Sequence, residues 1–176
     1  MLDTEHLIVR PFLESDYQDL YEYLSLEETY RFERGGPIPL DKAKEFTREW
    51  SKGKNFWAAT LKENKKLIGH VSFFPERPEV FKTWQIGYIF NPAYHNKGYA
   101  SEASLAVIKY AFSSMGAHRV VAYCSPDNIP SWKVLEKCGM KREGRLRKDF
   151  ILREDENGKP VWLDSYVYGI LAEDLL

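Results

Sequence analysis

Residues 83–124 constrain the chain more than any other stretch. Thr83 to Phe90 is a mostly apolar run that ends at Asn91-Pro92, and Arg119 to Cys124 is a second run rich in valine. Between them, Tyr99 to Met115 places Leu105, Ile108, Phe112 and Met115 on one helical stripe, with Gly116 as a stop signal. Strand, helix and strand in this order make a crossover, which requires the two strands to run parallel and the helix to cover one face of their sheet.

The flanking sequence fills out the sheet. His6 to Arg10 reads as a first strand ended by Pro11, and Ser15 with Gln18 forms a capping-box pattern at the head of a helix carrying Tyr17, Leu20, Tyr21 and Leu24. Arg34-Gly35-Gly36-Pro37 marks a loop, and Ala43, Phe46 and Trp50 give a second helix one apolar face. Phe56 to Leu61 and Leu67 to Phe74 flank a polar turn at Glu63 and Asn64, the pattern of a hairpin. Pro130 to Lys137 reads as a short helix stopped by Gly139; Arg147 to Leu152 and Val161 to Leu171 are strands joined through Asn157-Gly158. The expected order is βααβββαβαββ. This is a mixed α/β fold, a central twisted sheet of about seven strands flanked on both faces by about four helices. One domain over residues 1–176 is expected.

Composition removes several classes. Net charge is −1, so no global field draws the chain to nucleic acid or to a membrane surface. No apolar run approaches the roughly 20 residues of a membrane span, and Met1 to Arg10 lacks a signal-peptide core. Cys124 and Cys138 have no CxxC spacing and the four histidines are scattered, so reduced thiols, no metal site and a cytoplasmic location are expected. Aromatic residues make up 15%, which suits a dense core or a rigid apolar cleft.

The segment from Asn91 to Ala100 joins the first crossover strand to its helix. Helix N-termini present unpaired N–H groups and bind phosphates. Gly98 and Ala100 allow close approach to the backbone, Asn96 tolerates the left-handed conformation, and Lys97 adds a cation. A single glycine satisfies neither the Walker nor the dinucleotide fingerprint, which disfavours a nucleotide-binding domain. Read alone, the segment fits an ordinary strand-to-helix loop better. Asn128 and Ser131 open the short helix after the next strand, either as caps or facing a ligand at the carboxyl ends of the parallel strands, and spacing does not separate the two.

Taken together these stretches resemble the GCN5-related N-acetyltransferase superfamily, in particular its ribosomal-protein N-terminal acetyltransferase branch. The resemblance runs from Thr4–Pro11 through Ile86-Gly87-Tyr88 with Lys97–Ala103, then Asn128–Ser131 with Glu136–Gly144, to Trp162–Leu171. It implies acetyl-CoA as cosubstrate, its pyrophosphate on the amides of His95, Asn96, Lys97, Gly98, Tyr99 and Ala100. It also implies a pantetheine arm beside the Tyr88–Phe90 strand, bonding the backbone at Ile89 and Phe90 like an added strand, with Asn128 on a pantetheine amide and Ser131 near the sulfur. His95 stands where the family usually has glutamine or arginine, Asn96 where it has a first glycine, and Gln85 where some relatives have glutamate.

Thioester aminolysis needs an amine freed of its proton, donors for the tetrahedral oxyanion, and relief for the departing thiolate. A main-chain N–H near Ile89 or Phe90 serves the second need. Ser131 serves the third, with Tyr166 or Tyr168 competing, although both tyrosines also read as packing residues. Asp164, Glu102 and Glu33 are the candidate bases, alongside a water chain. Ser131, Tyr166 and Asp164 are the catalytic set carried forward. The resemblance puts Glu27, Glu28 and Glu33 on the acceptor side, while Arg31 and Arg34, interleaved with them, fit a solvated acidic loop better; Phe81 and Trp84 either line that cleft or pack. The expected activity is acetyl transfer to a primary amine, a protein N-terminus such as that of a ribosomal protein or a small amine, by direct attack on the thioester. Polyamine or antibiotic acetylation and a catalytically silent acyl-CoA-binding module are the alternatives. The expected partners are coenzyme A and the amine acceptor, and dimers are common in such families.

Overall fold

The computed structural model describes residues 1–175. Its elements are β1 (Leu2–Asp3), β2 (Leu7–Pro11), α1 (Tyr17–Leu24), α2 (Leu40–Trp50), β3 (Phe56–Leu61), β4 (Leu67–Pro75), β5 (Thr83–Phe90), α3 (Tyr99–Ser114), β6 (Arg119–Cys124), α4 (Ile129–Lys137), β7 (Lys141–Glu154) and β8 (Pro160–Leu171). The strands form one mixed sheet in the order β1-β2-β3-β4-β5-β6-β8-β7. Only β5 and β6 are parallel, as the crossover requires; every other neighbouring pair is antiparallel.

Alternation along the strands sends side chains to two faces. One face, with Leu7, Val9, Ile68, Val71, Phe73, Ile86, Val120 and Ile170, is covered by α3 and α4. On the other, Phe12, Ala58 and Leu67 pack with Leu20, Tyr23 and Leu24 of α1 and Ala43 of α2. Being covered on both sides, β4 is buried along most of its length rather than at alternate residues.

Four details depart from the sequence expectations. Among the described residues there are eight strands, not about seven, because two residues at the start, Leu2 and Asp3, pair with Val9 and Ile8; so short a strand shows no alternation. The Ser15–Gln18 capping box does not form. Instead Asp16 accepts from the Leu13 amide at 2.7 Å and from both terminal nitrogens of Arg10 at 2.8 Å, so this carboxylate sets the entry to α1. The buried face of α3 is Ala103, Ser104, Val107, Ile108 and Ala111, rotated from the expected stripe, since small residues let the helix lie close on the sheet. Strand β7 begins at Lys141, six residues before the expected Arg147. Its register against β8 shifts between Arg142 and Gly144, Leu146 and Phe150, and Ile151 and Arg153, which scrambles the period-two pattern. Among the described residues no helix is long and apolar enough to cross a membrane. Among the described residues no cluster of three or more His, Cys, Asp or Glu side chains is placed to hold a metal ion.

Candidate active site

The parallel pairing of β5 with β6 covers only Thr83–Arg119, Trp84–Val120 and Gln85–Val121. Beyond Gln85 the strands part, while β4 continues to pair with β5 as far as Phe90 and β8 with β6 as far as Cys124. One edge of β5 from Ile86 to Phe90 is therefore free of strand partners. Which groups use that edge follows from alternation. The Ile89 carbonyl faces β4, since a Cβ on Gly69 would lie 2.8 Å from it, and Asn91 N–H donates to Ile68 O at 2.9 Å. Tyr88 and Phe90 thus direct their N–H and C=O groups to the free edge. Between Ile89 and Phe90, the backbone donor available to a ligand is Phe90; Ile89 lines the cleft but turns its own N–H and C=O to β4.

At the end of β5, Asn91 accepts from Ala93 N–H at 3.1 Å and starts the turn into α3. Asn96 adopts φ 61° and Gly98, at the head of α3, φ 85°. No protein acceptor takes the amides of Asn96, Lys97, Gly98, Tyr99 or Ala100 among the described residues. His95 differs: its amide donates to Pro92 O at 3.1 Å and its Nε2 to Phe90 O at 2.9 Å, closing the end of the free edge. The free amide run expected from His95 therefore begins one residue later, and one ring nitrogen is committed to the backbone. Lys97 also leaves the expected place: its ammonium lies 5.4 Å from the Tyr94 ring centroid and does not line the cleft. The lysines that do are Lys133 and Lys137, one turn apart on α4. Together these residues bound a cleft of about 420 Å³ running from the turn, past β5, to the head of α4.

Asn128 and Ser131 meet both sequence readings at once. The Asn128 side chain caps α4 by accepting from Ser131 N–H at 3.3 Å, and both residues line the cleft. Tyr88 donates its hydroxyl to Ser131 O at 2.8 Å and lies 3.1 Å from Ser131 Oγ. Burial raises the Tyr88 pKa well beyond the physiological range, so the phenol stays protonated and its proton is occupied by the Ser131 carbonyl. The Ser131 hydroxyl proton is left able to turn toward the cleft.

A second cleft, of about 510 Å³, lies on the far side of the same strand. Glu33, Tyr88, Ile89 and Ser131 line both. Glu33 stays open to cleft water while protein crowds its other sides, and that burial lifts its carboxyl from an ordinary 4.5 to about 7. It has no ion pair or side-chain hydrogen bond among the described residues. The other acid candidates are committed elsewhere. Asp164 lines neither cleft; it accepts from Lys148 N–H at 2.9 Å and Arg145 Nε at 2.7 Å, which hold it below its ordinary value. Glu102 accepts from Thr4 Oγ1, His6 N–H and the His6 ring, anchoring the β1–β2 turn to α3. Tyr166 sits against the Arg142 guanidinium, 4.4 Å from its ring centroid, and Tyr168 is buried with its hydroxyl on Glu136, so neither reaches Ser131's cleft. Trp84 stacks on Phe73, and Phe81 lies exposed at the opposite end of β5.

A split parallel pair and an uncommitted amide run at a helix head frame one cleft against the free edge of β5, and a second cleft meets it at Glu33. The model of the acetyltransferase (GNAT) domain family matches residues 6–141, and the chain belongs to that family. It is similar to the uncharacterized N-acetyltransferase YnaD of Bacillus subtilis, at 39% identity over 98% of both chains. It is also similar to a crystal structure of a GNAT-family acetyltransferase from Bacillus anthracis, at 34% identity, TM-score 0.88 and 98% coverage of both chains. The fold recurs in the microcin C7 self-immunity acetyltransferase MccE, solved with acetyl-CoA and AMP, at 21% identity and TM-score 0.79 over 95% of this chain and 93% of that one. The protein is thus an N-acetyltransferase, and the reading as a catalytically silent binding module is set aside.

Proposed function

We propose that the protein transfers acetyl from acetyl-CoA to a primary amine by direct attack, with Glu33 as the general base. The observation that carries this is the junction: Glu33 is the carboxylate common to both clefts, it is uncommitted, and its pKa of about 7 suits a base at neutral pH.

The diphosphate lies on the amides from Asn96 to Ala100, helped by Lys133 and Lys137, where the α3 dipole favours negative charge. The pantetheine arm follows the free edge of β5 and takes backbone bonds at Tyr88 and Phe90 in the manner of an added strand. The acceptor enters through the second cleft. Its ammonium gives one proton to water in the cleft, which passes it to solvent, and the neutral nitrogen attacks the thioester carbonyl while Glu33 is still ionised. The resulting oxyanion accepts from backbone N–H on the free edge. As the new C–N bond forms, Glu33 takes the nitrogen's second proton; the C–S bond then breaks, and the thiolate leaves against the Ser131 hydroxyl before taking up a proton from solvent. Gln85 lines the acceptor cleft and can orient an amine or a water, but it carries no base.

Glu33→Gln tests this. The parent's kcat/KM should rise with pH through about 7 as the carboxylate ionises, and the variant should lose that limb together with about 10²–10⁴-fold in rate while holding acetyl-CoA normally. An unchanged pH profile in the variant would remove Glu33 from the reaction.

A further inference from the structure

The second cleft has a composition that selects among amines. Its wall is aromatic: Phe46, Trp50, Phe56 and Phe74, with Tyr30 at the side. Trp50 stacks parallel to Phe56 at 4.0 Å and to Phe46 at 5.2 Å, and Phe74 stands edge-on to Phe56 at 5.3 Å. His70 lines the same wall, buried and kept neutral by that burial, with Nδ1 on the Tyr23 hydroxyl at 2.7 Å. The charged lining is one carboxylate, Glu33, and one guanidinium, Arg34, which makes no ion pair among the described residues.

A polyamine placing one nitrogen at Glu33 brings further ammonium groups into this wall. There it meets no second carboxylate, a neutral imidazole and a like charge on Arg34, and desolvating an unpaired ammonium is strongly unfavourable. The Phe46 ring is already engaged by the Lys42 ammonium, 5.0 Å from its centroid, while Trp50, Phe56 and Phe74 meet one another through stacked and edge-on contacts. A further aromatic ring can join that cluster by the same two geometries. We infer that the acceptor is a primary monoamine carried on an aromatic body, presented either as a free molecule or as the first residue of a peptide. The inference rests on the second cleft being the acceptor side with Glu33 at its reacting end.

The test is acetyl transfer from acetyl-CoA, followed by product mass and thiol release. The acceptors are 2-phenylethylamine, a short peptide beginning with phenylalanine, n-butylamine, a peptide beginning with alanine, and spermidine. One or both aromatic acceptors should exceed n-butylamine, the alanine peptide and spermidine by at least tenfold in kcat/KM, and the better of the two names the source. Phe74 is 39% exposed at the rim, so Phe74→Ala should keep the fold and the KM for acetyl-CoA while cutting the aromatic advantage to threefold or less. Arg34→Glu, which adds a second carboxylate, should raise spermidine turnover. Spermidine or n-butylamine equal to the aromatic acceptors overturns the inference, as does the absence of transfer to any aromatic acceptor. Glu33→Gln separates the two levels. If it abolishes transfer while the aromatic preference is missing, the acceptor class alone falls; if it matches the parent, the reading of the site falls with it.

Discussion

A methyl group on Gly69 would run into the Phe90 ring and come within 2.8 Å of the Ile89 carbonyl. This glycine in the middle of β4 lets β5 lie close enough for Phe90 to fill the core and still present its backbone to the cleft. Gly69→Ala should destabilise the protein by about 1–3 kcal/mol through overpacking, read from denaturant unfolding, and should weaken acetyl-CoA binding in the same variant. The residues that fix special backbone shapes were readable beforehand: Asn96 and Gly98 take the left-handed conformations that their side chains, or lack of one, permit. The residues defined by company were not. Glu33 stood among Glu27, Glu28, Arg31 and Arg34, and nothing in that spacing says which carboxylate lies where two clefts meet. Lys133 and Lys137 drew no notice in the sequence, since only the placing of α4 beside the turn brings them to the cleft. Asp164 looked available because its partners, Arg145 and Lys148, come from a neighbouring strand.

Among the elements, α3 is held by its first turn. Glu102 accepts from Thr4 at 2.5 Å, from the His6 amide at 2.7 Å and from the Leu7 amide at 3.2 Å, joining the β1–β2 turn to the helix whose head carries the free amides. Burial raises the Glu102 pKa, but these bonds outweigh it and the carboxyl sits below its ordinary 4.5. Its contribution is present above about pH 4.5 and fades as pH falls through the lowered value. His6, hydrogen-bonded to Glu102, is raised above 6.5; its contribution is complete below that pH and fades as pH rises through the raised value. Glu102→Gln should therefore lower stability by about 1.5–3 kcal/mol, a range set by hydrogen bonds to a charged group. The gap from the parent should be widest between about pH 4.5 and 6.5, as unfolding curves across pH will show. Element order was legible because β3, β5 and β6 each carry a compact apolar run, and their limits match the sequence reading residue for residue. Strand β7 was half hidden because three shifts of register erase its alternation.

For the molecule as a whole, the donor should act as a stabiliser, since it binds the folded form alone. At a hundred times its dissociation constant, acetyl-CoA should add about 2.7 kcal/mol, or about 5–10 °C in Tm for a chain of this size, whereas NAD at the same concentration should add little. The crossover that organises the sheet was plain in the sequence, but the parting of its strands was not. Where β6 leaves β5 depends on its pairing with β8, which is decided by residues forty or more positions away. That parting makes a wedge, pinched at Gln85 and Val121 and broad at Phe90. A wedge sorts an occupant by thickness along its length: a slender tip travels to the narrow end, beside the second cleft, and a bulky head stays at the mouth. The sheet thereby imposes one polarity of entry on anything that slides into it, before a single side chain is consulted.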